Sequence, residues 1–170
     1  MKVILLMAMS ANGMIARENG SEDFLSHENW KTFLQFVKKY KCVVWGRKTY
    51  ESVKKWDLKY INSLKKAKIF VVTSGKTDIN SNCILAQSPQ DAIKKASSFG
   101  FKSVLLSGGS SLNSSFIKEN LIDEIILNIE PFALGKGITL FKDDDFESKL
   151  KLVKTKKLPK GIIQLHYKIV

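Results

Sequence analysis

Residues 102–125 read KSVLLSGGSSLNSSFIKENLIDEI, and the order of residue types in this stretch decides the fold. The apolar run Val104 to Leu106 predicts a buried strand over residues 103–106, and Ser110 to about Asn120 has the pattern of a helix. Gly108-Gly109 stands between them, although glycine disfavours the interior of either element. The two glycines either form a tight turn or let the backbone approach a ligand. In the second case, the N–H groups and the dipole of the following helix favour an anion.

The stretch VVWGRKTYES, residues 43–52, repeats this order of apolar strand, glycine and helix. Its helix begins at Arg47, whose planar guanidinium suits a phosphate, and Lys48 and Thr49 add a charge and a hydroxyl group. If the two strands are neighbours, the two helix N-termini lie side by side and together straddle a dinucleotide. Neither turn matches G-x-G-x-x-G or the P-loop pattern, so neither a Rossmann site nor an ATPase site is predicted. The turn Thr73-Ser74-Gly75 can line the same cleft.

Apolar strands alternate with helical patterns along the chain, which indicates a single α/β domain over residues 1–170. We expect three layers, with helices on both faces of a mostly parallel sheet and an antiparallel C-terminal hairpin joined at the sequence PKG. Ser26 is expected to cap the first helix, whose apolar positions follow the i, i+3, i+4, i+7 spacing. A second helix is predicted from Arg47 to about Trp56. The predicted strands cover residues 3–9, 42–45, 69–73, 84–86, 103–106, 122–129, 150–158 and 162–170.

The chain is basic, with a formal net charge of +12, and 44% of its residues are hydrophobic. The excess is lysine, because Arg17 and Arg47 are the only arginines, and the lysines are scattered without interleaved aromatic residues. We therefore expect a solvated surface and no nucleic-acid partner. No apolar run is long enough to span a membrane, and the run from Val3 reads as a core strand rather than a signal peptide. A cytoplasmic protein without a membrane partner is expected.

Neither a disulfide nor a metal site is expected. Cys42 and Cys83 are the only cysteines and read as reduced, buried thiols. His27 and His166 are far apart in the sequence and lack the cysteine spacing of a zinc site.

Three segments together resemble the dihydrofolate-reductase-like superfamily: MAMSANGMIA near the start, GRKTYES after the second strand, and LLSGGSSLNSSFIKENLIDEIILNIEPFALGKGITLF. The last is most similar to the reductase domain of the bifunctional deaminase/reductase of riboflavin biosynthesis. The resemblance implies an NADPH-dependent reductase, a homodimer and a central sheet of about eight or nine strands. The cofactor contacts that the resemblance implies come from Ala8, Ile15, Gly46, Arg47, Thr49, Thr73, Ser74, Gly108, Gly109, Ser110, Ser111 and Leu112. Lys48 is added to these candidates because it lies in the same turn as Arg47 and Thr49.

The folate branch of this superfamily carries a carboxylate on the first helix, facing the pterin. Counting back from Gly46 without a gap puts Trp30 at that position, and the nearest acidic residues, Asp23 and Glu28, are the candidates for a proton donor. At about 100° per residue, Glu28 points away from the apolar face of the helix. The direction of Asp23 cannot be read from the sequence. The tryptophan-proline pair of the folate branch is absent here.

The riboflavin branch is similar through LLSGGSSLN, LIDEIILNIEP and GKG, but residues 51–66 lack its D-D-P-x-L-type segment. In that region, Lys54, Lys55 and Lys59 are candidates for binding a substrate phosphate. The zinc-binding pattern of the deaminase domain is absent.

A pocket over the nicotinamide would be lined by Ala8, Trp30, Phe33, Leu34 and Asn128. The two aromatic residues can sandwich a flat heterocycle, although aromatic residues at helical spacing also serve as core. Asn128, polar in an apolar strand, points either to a cleft or into a core network. The predicted reaction is hydride transfer from NADPH to a small-molecule substrate, 5-amino-6-(5-phosphoribosylamino)uracil or a related ribosylaminopyrimidine phosphate. The alternatives are a divergent dihydrofolate reductase and a cofactor-binding protein without turnover.

Overall fold

The computed structural model describes residues 1–75 and 77–170. In chain order, its strands are β1 (Lys2–Ser10), β2 (Met14–Ala16), β3 (Cys42–Gly46), β4 (Lys68–Val72), β5 (Cys83–Ala86), β6 (Ser103–Leu106), β7 (Glu124–Glu130), β8 (Ile138–Thr139), β9 (Leu150–Lys157) and β10 (Ile163–Ile169). Its helices are α1 (His27–Tyr40), α2 (Arg47–Val53), α3 (Leu58–Ser63), α4 (Pro89–Ser98) and α5 (Ser110–Lys118).

Eight of these strands form one sheet in the order β5-β4-β3-β6-β1-β7-β10-β9. The six strands from β5 to β7 pair in parallel, and β10 pairs antiparallel with both β7 and β9. β2 and β8 form a separate two-stranded antiparallel sheet. The mostly parallel sheet and its antiparallel C-terminal hairpin confirm the predicted fold class.

Side chains of the main sheet alternate between its two faces, and each face has its own apolar core. On one face, Leu5 and Leu106 pack with residues of α4 and α5, including Phe116. On the other, Ile4 and Leu105 pack with residues of α1 and α2. Helices therefore cover both faces, which confirms the three predicted layers.

The structure corrects the predicted elements in the first half of the chain. The helix predicted to reach about Trp56 ends at Val53, and α3 follows as a separate helix. The side chain of Asp57 begins α3 by accepting a hydrogen bond from the N–H of Lys59. The sequence did not predict β2 or β8. β2 has three residues and β8 has two, so both are too short to show an alternating apolar pattern.

β9 lies at the edge of the main sheet, and all eight of its residues are exposed. Half of them are lysines: Lys151, Lys154, Lys156 and Lys157. Charged side chains on an edge strand discourage pairing with another sheet edge. These four lysines keep their charges in solvent along the edge.

Asn12 joins the loop after β1 to the loop after β7. Its Nδ2 donates to the carbonyl oxygen of Leu134 at 2.6 Å, and its Oδ1 accepts from the N–H of Leu134 at 3.1 Å. The hydroxyl of Ser10 donates to the same Oδ1 at 2.8 Å. Because β1 and β7 are parallel neighbours, both loops leave the same edge of the sheet, where ligands bind in folds of this kind. Asn12 therefore fixes the rim of the expected cleft.

We expect Asn12→Ala to lower the free energy of unfolding by about 1–2 kcal/mol, because two hydrogen bonds to the Leu134 backbone are lost. Chemical denaturation measures this change. Asn19→Ala is the matched control, since Asn19 Oδ1 accepts from the N–H of Ser21 within one exposed loop. Equal destabilisation by both substitutions would show that Asn12 does not brace the rim.

Candidate functional site

The pairing of β3 with β6 brings the two glycine turns together. The strands are parallel neighbours, with Val43–Val44 opposite Leu105–Leu106. Beyond the last pair, the N–H of Gly46 donates to the carbonyl oxygen of Gly108 at 2.8 Å. The turns before α2 and α5 therefore lie side by side at the carboxyl edge of the sheet, where one ligand can contact both.

Gly108 and Gly109 are needed for different reasons. Gly108 has a φ of +90°, in the left-handed region that favours glycine, and a Cβ there would lie 3.2 Å from Cε of Met7. Gly109 has a φ of −81°, which other residues adopt readily. A Cβ on Gly109 would instead lie 3.3 Å from Oγ1 of Thr49. The small size of Gly109 thus keeps a groove open between Thr49 and the first turn of α5.

The first turn of α5 has no side-chain cap from any residue that the structure describes. Gly109 occupies the N-cap position and has no side chain to accept from the N–H groups. By contrast, the hydroxyl of Ser88 accepts from the N–H of Asp91 at the start of α4. Uncapped N–H groups at a helix start suit an anion such as a phosphate. The backbone beside Gly109 therefore offers donors that suit a diphosphate.

Polar side chains of α2 border the same groove. Thr49 is half-buried beside Gly109, and Arg47 and Lys48 are exposed. The guanidinium of Arg47 pairs with Glu51 at 3.0 Å, one turn along the helix. An exposed pair of this kind contributes about 0.3–0.5 kcal/mol, so a phosphate can displace Glu51 from Arg47.

The other predicted cofactor residues lie around these two turns. Thr73 and Ser74 follow β4, whose last residue, Val72, is opposite Gly46. The Thr73 hydroxyl exchanges hydrogen bonds with the backbone of Gly75 inside its own turn. On α5, Ser110 is half-buried, Ser111 is exposed and Leu112 is buried.

Ala8 and Asn128 lie opposite each other on β1 and β7, on the face of the sheet that α1 covers. Asn128 is 3% exposed, and its Oδ1 accepts from Nε2 of Gln164 on β10 at 2.8 Å. Asn128 thus belongs to a cross-strand polar pair next to the expected nicotinamide position. Ile15, the remaining predicted contact, is buried in β2.

The buried side of α1 includes polar residues that the predicted apolar spacing does not contain. The buried residues of α1 are Asn29, Thr32 and Val37. Trp30 lies about 100° round the helix from Asn29. Two polar residues therefore belong to the buried side of α1, beside Trp30, Phe33 and Leu34, which pack against the core. A count of apolar positions alone misses them.

The aromatic residues Trp30 and Phe33 of α1 pack against Trp56, against α3 and against β3. Trp30 has its ring centroid 5.5 Å from Trp56, 5.1 Å from Tyr60 and 5.3 Å from Phe33. Phe33 also stacks with Trp45 at 6.4 Å. The three predicted substrate residues of α1, namely Trp30, Phe33 and Leu34, are all half-buried, and the two aromatic rings have packing partners in the protein itself.

Glu130 is a candidate site residue that the sequence reasoning missed. It is 4% exposed, and its Oε1 accepts from the N–H of Ser26 at 2.6 Å and from the side-chain amide of Asn29. This carboxylate holds the start of α1 in place of the expected Ser26 side chain, which makes no capping hydrogen bond to the described residues. A glutamate two positions after Asn128 in an apolar strand was the available signal. Its partners are more than a hundred positions away in sequence.

Asp23 and Glu28 both form ion pairs. The Arg17 guanidinium lies 2.6 Å from the Asp23 carboxylate and lowers the pKa of that group. Lys31 lies 2.7 Å from Glu28 and lowers its pKa in the same way. Both carboxylates are therefore ionised near neutral pH, which does not suit a proton donor.

Within residues 1–75 and 77–170, no group of three or more histidine, cysteine or acidic side chains could hold a metal ion. The same residues contain no helix with the length and apolar character of a membrane span. Cys42 and Cys83 are buried and unpaired, and burial raises the pKa of the Cys42 thiol to about 12.

Comparison with known sequences identifies the family. The family model described as the RibD C-terminal domain matches residues 1–164. The chain belongs to the RibD C-terminal domain family. One relative is the uncharacterized protein YwjB of Bacillus subtilis (strain 168). It is 31% identical over 169 residues, which cover 98% of this chain and 97% of YwjB.

Solved structures share the fold of this RibD C-terminal domain at low sequence identity. A Shewanella sp. PV-4 protein assigned to riboflavin biosynthesis has a TM-score of 0.81 at 22% identity, over 100% of this chain and 99% of that one. The diaminohydroxyphosphoribosylaminopyrimidine deaminase/5-amino-6-(5-phosphoribosylamino)uracil reductase of Thermotoga maritima has a TM-score of 0.76 at 16% identity. In that comparison 99% of this chain is covered but only 56% of the Thermotoga protein.

We expect Glu130→Ala to lower the free energy of unfolding of this RibD C-terminal domain by about 2–4 kcal/mol, because two buried donors lose their acceptor. Glu51→Ala, which removes the exposed partner of Arg47, should change it by less than about 0.5 kcal/mol. Urea denaturation of both variants makes the comparison. A change below about 1 kcal/mol for Glu130→Ala would show that this carboxylate does not hold α1 to β7.

Proposed function

We propose that this RibD C-terminal domain is an NADPH-dependent reductase of 5-amino-6-(5-phosphoribosylamino)uracil or a related ribosylaminopyrimidine phosphate. The observation that carries the proposal is the hydrogen-bonded pair of glycine turns, Gly46 and Gly108, at the carboxyl edge of the sheet. Membership of the RibD C-terminal domain family supports the choice of reaction. The reductase activity in the name of the Thermotoga maritima neighbour supports the choice of substrate.

The groove between the turns fits the phosphates of a dinucleotide. The uncapped N–H groups of α5 and the hydroxyl of Thr49 can donate to a diphosphate, and Gly109 lets it approach the backbone. Arg47 and Lys48 carry the positive charge that meets a further phosphate, which is the group that distinguishes NADPH from NADH. When bound, the cofactor supplies the hydride, and the protein supplies binding and orientation.

The face of β1 and β7 beside the groove provides the surface for the reacting rings. Ala8 presents a small side chain there, and its register partner Asn128 is held by Gln164. A flat ring can therefore lie against the strands without displacing a large side chain. The ion-paired states of Asp23 and Glu28 agree with a reaction at an iminium-like ribosyl carbon, because that step does not require a strong protein acid.

Of the three lysines considered for the substrate phosphate, Lys54 and Lys55 follow α2, and Lys59 lies in the first turn of α3. Lys54 Nζ donates to the carbonyl oxygen of Asp78 at 3.2 Å, and Lys59 Nζ lies 3.4 Å from the Asp57 carboxylate. Lys55 is exposed. Exposed contacts of this kind are weak, so all three lysines are available to a phosphate at this end of the cleft.

We expect Arg47→Ala to weaken NADPH binding by about 10- to 150-fold, the cost of one lost charged phosphate contact. NADH binding should change by less than about threefold, because NADH lacks the extra phosphate. Calorimetric titration with both nucleotides gives the two ratios. Arg17→Ala is the matched control, since Arg17 is the only other arginine and pairs with Asp23. Equal loss for NADPH and NADH would show that Arg47 does not read the phosphate.

Gly109→Val should abolish NADPH binding and leave the protein folded. The backbone of Gly109 suits valine, but the new side chain would fill the groove beside Thr49. Circular dichroism checks the fold and calorimetry checks binding. Gly135→Val serves as the control, because no heavy atom among the described residues lies within 4 Å of a Cβ there. If folded Gly109→Val protein binds NADPH normally, the two glycines serve only to form a tight turn.

The substrate is tested by NADPH oxidation with the ribosylaminopyrimidine phosphate and with dihydrofolate, across about pH 5 to 9. We expect turnover of the first near neutrality, and slow turnover of dihydrofolate that rises at low pH, where solvent supplies the proton. A positioned acid contributes roughly 10²- to 10⁴-fold in rate, so its absence should be visible. Fast dihydrofolate turnover at neutral pH, lost in Asp23→Asn or Glu28→Gln, would identify a divergent dihydrofolate reductase, the alternative that the GRKTYES motif favours.

A further inference from the structure

A buried polar cluster of Ser26, Asn29 and Glu130 lies where α1 meets the carboxyl end of β7. Asn29 is 7% exposed and Glu130 is 4% exposed. The N–H of Ser26 and the side-chain amide of Asn29 both donate to Oε1 of Glu130. The cofactor groove at Gly109 does not use this cluster.

The carboxylate of Glu130 decides which way the Asn29 amide faces. Carboxylate oxygens accept hydrogen bonds, so Nδ2 of Asn29 turns toward Glu130 and Oδ1 turns away from it. That Oδ1 is buried and has no hydrogen-bond partner in the described part of the chain, and the same holds for Oγ of Ser26. Buried polar atoms without partners are rare and costly in folded proteins. Two of them in one cluster point to a partner from outside the chain.

The cluster lies beside the surface expected to hold the reacting rings. Glu130 is opposite Ser10, and two residues earlier Asn128 is opposite Ala8, on the same face of the sheet. Two residues along a strand span about 6.6 Å, which is comparable to the width of one heterocyclic ring. A ring stacked over Ala8 and Asn128 therefore extends toward Glu130, whose carboxylate holds Asn29.

We propose that Asn29 is a specificity-determining residue that accepts a hydrogen bond from a ring N–H of the pyrimidine substrate, and that Glu130 is its positioning residue. An imide edge, with an N–H next to a carbonyl oxygen, matches the pair formed by Asn29 Oδ1 and the Ser26 hydroxyl. This inference rests on the proposed function, because it names the ring that the reductase binds. A ring without that N–H leaves Asn29 Oδ1 unpaired and is rejected.

The test is calorimetric titration with 5,6-diaminouracil and with its 1,3-dimethyl derivative, which lacks both ring N–H groups, in the presence and absence of NADP⁺. The wild-type protein should bind the N–H compound about 10- to 100-fold more tightly. Asn29→Leu, of similar branched shape but without an acceptor, should remove this preference by weakening the N–H compound alone. If Asn29→Leu does not fold, the preference for the N–H compound is measured with Asn29→Ser instead.

Thr32→Val is the matched control, because Thr32 is buried one turn further along the same side of α1 and its hydroxyl donates to the carbonyl oxygen of Glu28. It should keep the wild-type preference. Glu130→Gln keeps the shape of the positioning residue but weakens its hold on the amide, so we expect it to reduce the preference without abolishing it. Equal wild-type affinity for the two compounds, or an undiminished preference in Asn29→Leu and Asn29→Ser, would overturn the inference.

The binding data separate this inference from the proposed function. If NADPH-dependent turnover of the ribosylaminopyrimidine phosphate is found but Asn29→Leu leaves both KM and the N–H preference unchanged, the inference fails and the function stands. If no turnover is found but the N–H preference exists and depends on Asn29, the function fails and the recognition of the ring edge stands. A wild-type protein that binds neither compound would overturn the inference whatever its activity.

Discussion

The parallel pairing of β3 with β6 is the constraint on which the candidate site depends. The two strands come from distant parts of the sequence, and between them the chain forms α2, α3, β4, β5 and α4. Only their register places Gly46 against Gly108. Apolar packing on both faces fixes this register, since Val43 and Leu105 enter one core while Val44 and Leu106 enter the other. A shift by one residue would turn each of these side chains to the wrong face.

A second long-range contact gives the cleft its other wall. Glu130 holds the start of α1 against the end of β7, and Asn12 holds the neighbouring loops together at the same rim. The first contact uses a buried carboxylate, which is costly to bury without donors. Its two donors come from the backbone of Ser26 and the side chain of Asn29. Glu130 thus sets both the packing of α1 and the orientation of the Asn29 amide, so the proposed recognition depends on a group that also stabilises the fold.

Most of the sheet could be predicted from the sequence, because its strands are continuous apolar runs separated by glycine, proline and capping serine. Gly108-Gly109 marked the start of α5 correctly. Local sequence patterns gave wrong predictions where a residue distant in sequence determines how a helix is capped or buried. Ser26 looked like a side-chain cap for α1, but Glu130 from β7 takes that role. Asn29 and Thr32 are polar, so the apolar spacing of α1 does not include them, although both are buried.

The most direct measurement is a crystal structure of the protein with NADP⁺ and 5-amino-6-(5-phosphoribosylamino)uracil bound together. The account predicts the diphosphate against Gly109 and the first N–H groups of α5, the additional phosphate on Arg47, and the pyrimidine edge facing Asn29. A cofactor bound away from the Gly46 and Gly108 turns, or a pyrimidine ring on the far side of the sheet from α1, would contradict it.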